Sequence, residues 1–426
     1  MYKTDNRVTA LYICYWSLMD PLCQTQSLAY LKKLAAQGER FALMTFEQAR
    51  YKLDASEMAA TKLRLAGHGI YWYPLKYHKR FPLLATAYDC LRGVGVGVFI
   101  ALRHKARVVH SRSSIPAAIA LGVSFLSRTK FLYDADSRLS EEYADTGHWS
   151  RGSLAFRITS RMERIARMRA NSIVVLSRAL SDDFIGPLGV RVPVEVIPCC
   201  VDTQKLQFNS EARARRRAEL AITSERLFVY AGKMGSRYLV AEMLDFFNTA
   251  RERDSSLRLL VLTNDPHQSF HDLARARGID RPDYDVKSAA HSDVPEWLSA
   301  ADAGLAFIRS AECERGSSPV KIGEYLSVGL PVLVTDGIGD YSTVISRERL
   351  GVALKDLSPT DYVAALDALN QIWAEGDCIR DRCRAWAQAN ISLEAVGATR
   401  YRFVYQGLLG SAIPLTEPGE ERPVSA

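Results

Sequence analysis

No Cys-x-x-Cys pair occurs among the eight cysteines, and the adjacent Cys199 and Cys200 cannot bridge without strain. That removes the zinc spacings and points to a reduced, cytosolic chain without disulfides. The glycines at 93, 95 and 97 do not make G-x-G-x-x-G, and no Walker loop is present, so neither the dinucleotide fingerprint nor the P-loop applies. Long apolar runs are missing too. The most membrane-like stretch, Gly93–Leu102 (GVGVGVFIAL), is too short to span a bilayer and follows Asp89 and Arg92, which reads as part of a buried or interfacial helix. The first residues lack the pattern of a signal peptide. No repeat of solenoid length is found, no serine or cysteine triad stands out, and aromatic residues do not interleave with basic ones as a nucleic-acid module requires.

What is present is an ordinary globular composition, 48% apolar and 24% charged over 426 residues, enough for two cored domains. The charge is uneven. Residues 1–200 carry 28 Lys and Arg against 16 Asp and Glu, whereas the whole chain carries 55 against 48. The basic half is therefore expected to meet an anionic surface or ligand, with salt-sensitive binding to anionic membrane as the test.

Val8–Tyr15 reads as a strand, Trp16–Gln26 as a loop, Ser27–Ala36 as a helix and Phe41–Phe46 as a strand, the opening of a doubly wound parallel sheet. Further strands are expected at 69–73, 107–110, 130–133 and 172–176. A second series follows a boundary near residue 202: strands at 227–231, 257–262, 303–308 and 331–334, with helices at 239–250, 294–300 and 319–328. The reading is α/β throughout, with domains at 1–202 and 203–391, a helix around 392–410 packing back on the first domain, and a disordered tail at 414–426.

Ser317–Pro331, SSPVKIGEYLSVGLP, carries the chemistry. Ser318 suits an N-cap and Pro319 the first helical position, so the amides of Val320 and Lys321 would point out of a helix N-terminus, a site for a diphosphate. Lys321 places a positive charge where the macrodipole disfavours one, which suggests an anion nearby. Glu324, one turn on, either reaches a ribose hydroxyl pair or pairs with Lys321. An ordinary capped helix explains the same residues without a ligand.

The string SSPVKIGEYLSVGLPVLV resembles the signature of the family 4 glycosyltransferases, of the bacterial polysaccharide type. The likeness recurs at Leu11–Glu47, at Ile197–Asp202 (IPCCVD) and at Phe228–Phe247 (FVYAGKMGSRYLVAEMLDFF). It implies the GT-B fold, two Rossmann-like doubly wound parallel-sheet domains facing a cleft. It also implies a retaining transfer of sugar from a nucleotide-diphosphate donor to a glycan or polyprenyl-linked acceptor. The implied roles are Glu324 on the donor ribose, the turn Ser317, Ser318, Val320 and Lys321 on the diphosphate, and Lys233 and Arg237 as phosphate-neutralising cations. Asn264 would face the donor. Lys321, Lys233 and Asp134 would carry catalysis, and Gln24, Gln26, His110 and Arg112 would lie on the acceptor side.

The family's first glutamate falls on Gly316; Glu312 and Glu314 lie close but at the wrong spacing, which leaves open whether either substitutes and which groups bind the donor sugar hydroxyls. Asp134-Ala135-Asp136 imitates the metal-binding Asp-x-Asp of another transferase fold, but no metal or cofactor is expected here. The expected partners are the nucleotide sugar, the acceptor and, peripherally, the inner face of an anionic membrane, with no nucleic acid. A nucleotide-sugar epimerase on the same fold and a non-catalytic binding subunit are the rival readings.

Overall fold

The computed structural model describes residues 7–80, 82–235 and 237–410. The expected disordered tail at 414–426 lies outside the described residues. Two sheets of parallel strands organise the chain. The first has seven strands, β1 (Ala10–Cys14), β2 (Phe41–Glu47), β3 (Ile70–Lys76), β4 (Val108–Arg112), β5 (Lys130–Ala135), β6 (Ser172–Val175) and β7 (Val194–Val196), in the order β3-β2-β1-β4-β5-β6-β7. The second has six, β8 (Leu227–Ala231), β9 (Arg258–Leu262), β10 (Tyr284–Lys287), β11 (Ala303–Ala306), β12 (Val332–Thr335) and β13 (Gly351–Leu354), in the order β10-β9-β8-β11-β12-β13. Both are the expected α/β arrangement. β10 and β13, the edges of the second sheet, have no counterpart in the sequence reading, because four residues are too few for alternation to register.

Burial explains why a central strand such as β1 reads as an unbroken apolar run. β1 is buried along its whole length, with Ala10 in register with both Phe41 of β2 and Val108 of β4. A strand covered on both faces has no polar side to show. In β8 the two faces separate by period two. Leu227, Val229 and Ala231 point into one core with Tyr325, Leu326 and Val328, while Phe228 and Tyr230 point into another with Met243, Phe246 and Phe247.

By contacts, the described residues within Met1–Asp134, Ala166–Ile173 and Ala398–Ala426 form one compact unit. Those within Ala135–Ile165 and Val174–Gly397 form the other. The helix Thr399–Leu409 therefore belongs to the first unit.

One expectation is corrected and another is extended. Gln24 and Gln26 are not in a loop: Asp20 accepts the Leu22 N–H, Pro21 starts a helix, and both glutamines lie in a π-helical turn, Gln24–Leu28, that leads into Ala29–Ala36. The apolar stretch at Gly93–Leu102 is the second half of a helix, Pro82–Arg103, which by length and composition is long and apolar enough to cross a membrane. Its glycine face is packed, however. A Cβ at Gly93 would stand 2.9 Å from Ile119, and one at Gly97 would stand 2.6 Å from Val123, so the helix lies backbone-close on Ser114–Ser127.

Candidate functional site

In the second sheet β8 is flanked by β9 on one side and β11 on the other, the topological switch point at which open α/β sheets bind ligands beyond the strands' C-terminal ends. The turn after β8 and the helix Val320–Val328 meet there. Tyr325 fixes the helix. Its ring lies on Gly304 of β11, where a Cβ would stand 2.3 Å away, and its hydroxyl accepts the Ala231 N–H at 2.8 Å. Gly329, in the left-handed region at φ +91°, ends the helix as its glycine signal implies.

The start of the helix departs from expectation. Ser318 does not cap it, because its hydroxyl accepts the Cys199 N–H at 3.0 Å. Pro319 occupies the cap position, and among the described residues no side chain caps the first turn. The positive end of the helix is left without an internal acceptor from a side chain.

Lys321 sits beside that end. It is only 7% exposed, yet among the described residues its ammonium has no hydrogen-bond partner. The rings of Tyr230 and Tyr238 flank it, with Nζ 4.1 and 3.9 Å from their centroids. Below it is Gly232, at φ +138°, where a Cβ would come within 2.9 Å of Nζ. Burial, helped by the positive charge of Arg237 and opposed by Glu324, pushes the lysine pKa down to about 7. Glu324, half-buried one turn on, has its carboxyl raised by burial, while His291 and Lys321 pull it back. The buried ammonium is therefore matched to a negative charge supplied from outside the helix.

Arg237 and Glu314 form a second layer. Arg237 Nη1 donates to Glu314 Oε1 at 3.0 Å. Burial would lower the arginine's pKa, but Glu314 and Tyr238 outweigh it and hold the charge in place. Glu314 is buried, and that burial raises its pKa against the pull of Arg237. Glu312, by contrast, is exposed and pairs with Arg315. Of the two glutamates near the family's missing position, Glu314 is the one turned inward. Gly316 itself is wedged against Leu180, 3.0 Å from where its Cβ would be, which explains why a bulkier residue does not stand there. Below this turn Gly339 (φ +48°) donates its N–H to Glu314 O at 2.9 Å, and a Cβ there would clash with Ser317 O at 2.0 Å.

Lys233 is exposed in the turn after β8, and its carbonyl accepts the Tyr230 hydroxyl. Asn264 is exposed at the end of β9. Its neighbour Asp265 accepts the Met234 N–H at 2.6 Å, which ties the two loops together. Sequence reasoning missed His291, Tyr230, Tyr238 and Asp265. No spacing announces them, because each acts on the helix from a different loop or strand. Replacing Gly232 with alanine is expected to crowd Lys321 and strain the turn, lowering affinity for a nucleoside diphosphate about tenfold, a loss of ~1.4 kcal/mol, as read by calorimetry.

In the first unit, His110, Arg112 and Asp134 form a buried network. Asp134 Oδ2 accepts from Arg112 Nη1 at 2.7 Å and from the Tyr401 hydroxyl at 2.5 Å, and His110 Nε2 lies 3.6 Å away. His110 Nδ1 shares a hydrogen bond with the Tyr405 hydroxyl at 2.6 Å. Burial raises the Asp134 pKa, but Arg112, His110 and Tyr401 together outweigh it and hold the carboxylate ionised. Burial wins at His110 and lowers its pKa. With its Oδ2 shared in this way, Asp134 acts as the anchor of the helix Thr399–Leu409 on β4 and β5. Gln24 donates Nε2–H to Leu18 O at 2.6 Å, and Gln26 is buried.

Residues 225–371, about a third of the chain and the part that holds the Lys321 site, match the family model described as Glycosyl transferases group 1. No curated protein matches the chain in sequence. Solved structures do match in fold. Sucrose-phosphate synthase from Thermosynechococcus elongatus superposes with a TM-score of 0.75 at 14% identity, over 95% of this chain and 100% of its own. WaaG, a glycosyltransferase involved in lipopolysaccharide biosynthesis, gives 0.67 at 17% identity, over 93% and 100%. Anabaena HepE in complex with UDP-glucose gives 0.67 at 13% identity, over 95% and 99%.

Proposed function

We propose that this chain is a GT-B glycosyltransferase of the family 4 type. In this reading it moves a sugar, with retention of configuration, from a nucleotide-diphosphate donor to a glycan or lipid-linked saccharide in surface polysaccharide biosynthesis. The observation that carries the proposal is the buried ammonium of Lys321, which among the described residues has no hydrogen-bond partner, at a helix N-terminus that no described side chain caps. A diphosphate would satisfy both at once, and as leaving group it gains charge during transfer, when fixed cations stabilise it most. Lys321, the helix amides and Arg237 are the groups assigned to that charge. Glu324 is assigned to the ribose hydroxyls, and Glu314, in place of the family's first glutamate, to the donor sugar. Retention fits a mechanism in which the leaving diphosphate accepts the acceptor's proton on the same face. The UDP-glucose bound by HepE and the lipopolysaccharide role of WaaG support this choice of donor and acceptor class.

The test is a thermal-shift screen of nucleotide sugars, followed by product analysis with the stabilising donor, with and without lipid-linked and free glycans. A donor that raises the melting temperature and yields an elongated acceptor of unchanged anomeric configuration is expected. Epimerised donor formed without any acceptor, or binding without turnover across the acceptor panel, would overturn the assignment. Within it, Glu324→Ala is expected to raise the donor KM about 10- to 100-fold, the ~1.5–3 kcal/mol of a charged hydrogen bond, with a smaller change in kcat.

A further inference from the structure

We infer that helices Pro82–Arg103 and Ser114–Ser127 of the first unit form a docking surface for an anionic lipid bilayer, lying in the interface rather than crossing it. The stripe Leu84, Tyr88, Leu91, Phe99 and Leu102 falls at spacings of 4, 3, 8 and 3 residues, which places all five on one narrow face of the helix. All five are exposed, Leu91 at 76%. The opposite face is occupied: Ala85, Asp89, Gly93, Gly97, Ile100 and Ala101 are buried, and the two glycines press on Ile119 and Val123. Those contacts, 93 on 119 and 97 on 123, make the two helices parallel and bring Phe125 and Leu126 level with Phe99 and Ile100. Phe125 is 84% exposed and Leu126 is exposed as well, so the apolar surface continues onto the second helix.

Charge decides what covers this surface. Between residues 58 and 133 there are 12 Lys and Arg and a single acidic residue, Asp89. Asp89 is buried and bound to His78 at 2.6 Å and to the Tyr15 hydroxyl at 2.9 Å, so it offers no negative charge to the surface. Exposed Lys79 and Arg80 precede the stripe. At its far end the shared register gathers Arg103, Lys105, Arg128 and Lys130, all exposed. Apolar side chains along the middle with cations at both ends match an interfacial helix, its apolar residues among acyl chains and its cations among anionic headgroups. A second copy of this chain would set cations against cations, and a spanning helix would have to leave the packed glycine face. This surface is built from the first unit alone and shares no residue with the Lys321 site of the second, so its test does not depend on donor chemistry.

The experiment is flotation of the full chain with vesicles of phosphatidylcholine alone and with added phosphatidylglycerol, at low and high salt. The chain is expected to float with the anionic vesicles at low salt and to be released by salt. Leu91→Glu with Phe99→Glu is expected to weaken binding at least tenfold, and Arg128→Glu several-fold. Phe125→Ser, at a side chain with almost no packing to lose, is expected to weaken it several-fold with an unchanged melting temperature. No flotation of the native chain, flotation that Phe125→Ser and Leu91→Glu leave intact, or a dimer in light scattering that Leu91→Glu dissociates would each overturn the inference.

Discussion

Lys321→Ala is expected to lower kcat about 10²- to 10³-fold while leaving the fold intact, the loss typical when a fixed group facing developing charge is removed. The two effects separate because, among the described residues, the lysine makes no hydrogen bond that alanine would lose; its ammonium is flanked by rings and by like charge from Arg237. The sign of its pH linkage follows. The unfolded lysine keeps its proton up to its usual range near 10.4, whereas the folded one begins to release it near 7, so from about 7 upward the unfolded state binds more protons and stability rises with pH. Nucleoside-diphosphate binding runs the other way, because the anion selects the protonated form. Its affinity in the native chain is expected to fall as pH rises through about 7, and Lys321→Ala should flatten that profile. Calorimetry from pH 6 to 9 on both proteins, with melting temperatures alongside, reads both. A pH profile unchanged by the substitution would remove Lys321 from the diphosphate site.

Asp134→Asn is expected to cost about 3–5 kcal/mol of stability, because it leaves the Arg112 guanidinium buried without its counter-charge. The charge-assisted bond from the Tyr401 hydroxyl to the same oxygen is weakened with it, so the helix Thr399–Leu409 should loosen first. Hydrogen exchange on that helix and denaturant titration would measure the loss. Pairing Asp134→Leu with Arg112→Met should recover much of it, since an apolar pair of similar volume no longer strands a charge. The folded Asp134 pKa lies below the ordinary carboxylate value, so this contribution is fully present above that value and fades as pH falls through the folded one. The native chain should therefore hold the helix at neutral pH and lose it only in acid. The buried carboxylate thus serves the architecture of the first unit, a role its place at a strand end did not announce.

Some of this was legible in the sequence. The helix after Pro319 shows itself through proline at its start and glycine at its end, and Lys321 through its conflict with the macrodipole. Ser318 misled, because a serine before Pro-x-Lys suits a cap as well as it suits the long-range bond it makes to Cys199 N–H. The stretch at 93–102 reads as part of a helix, but a run of glycine and valine carries little helix propensity of its own and gave no sign that the helix runs back to Pro82. The π-helical turn holding Gln24 and Gln26 had no marker beyond Asp20-Pro21. His291 and Glu314 act through space: one lies on a turn after β10, the other before the donor helix at a spacing the family pattern does not use. Local spacing reports what one helix does, whereas the tertiary field on Lys321 and Glu324 is set by residues tens of positions away.

Gly304 and Tyr325 set a limit on redesign. The phenol ring fills the hollow that glycine leaves in β11, and its hydroxyl reaches across to the amide that ends β8. The helix is thereby keyed to two strands of a rigid sheet, so its first turn has little freedom to migrate toward a differently shaped donor. Changes in sugar preference are accordingly best sought in the surrounding loops, at Asp265, His291 and Glu314, with the helix as a fixed datum. A library that diversifies Gly304 or Tyr325 should return mostly misfolded chains, whereas one confined to those loops should return folded proteins with altered donor choice.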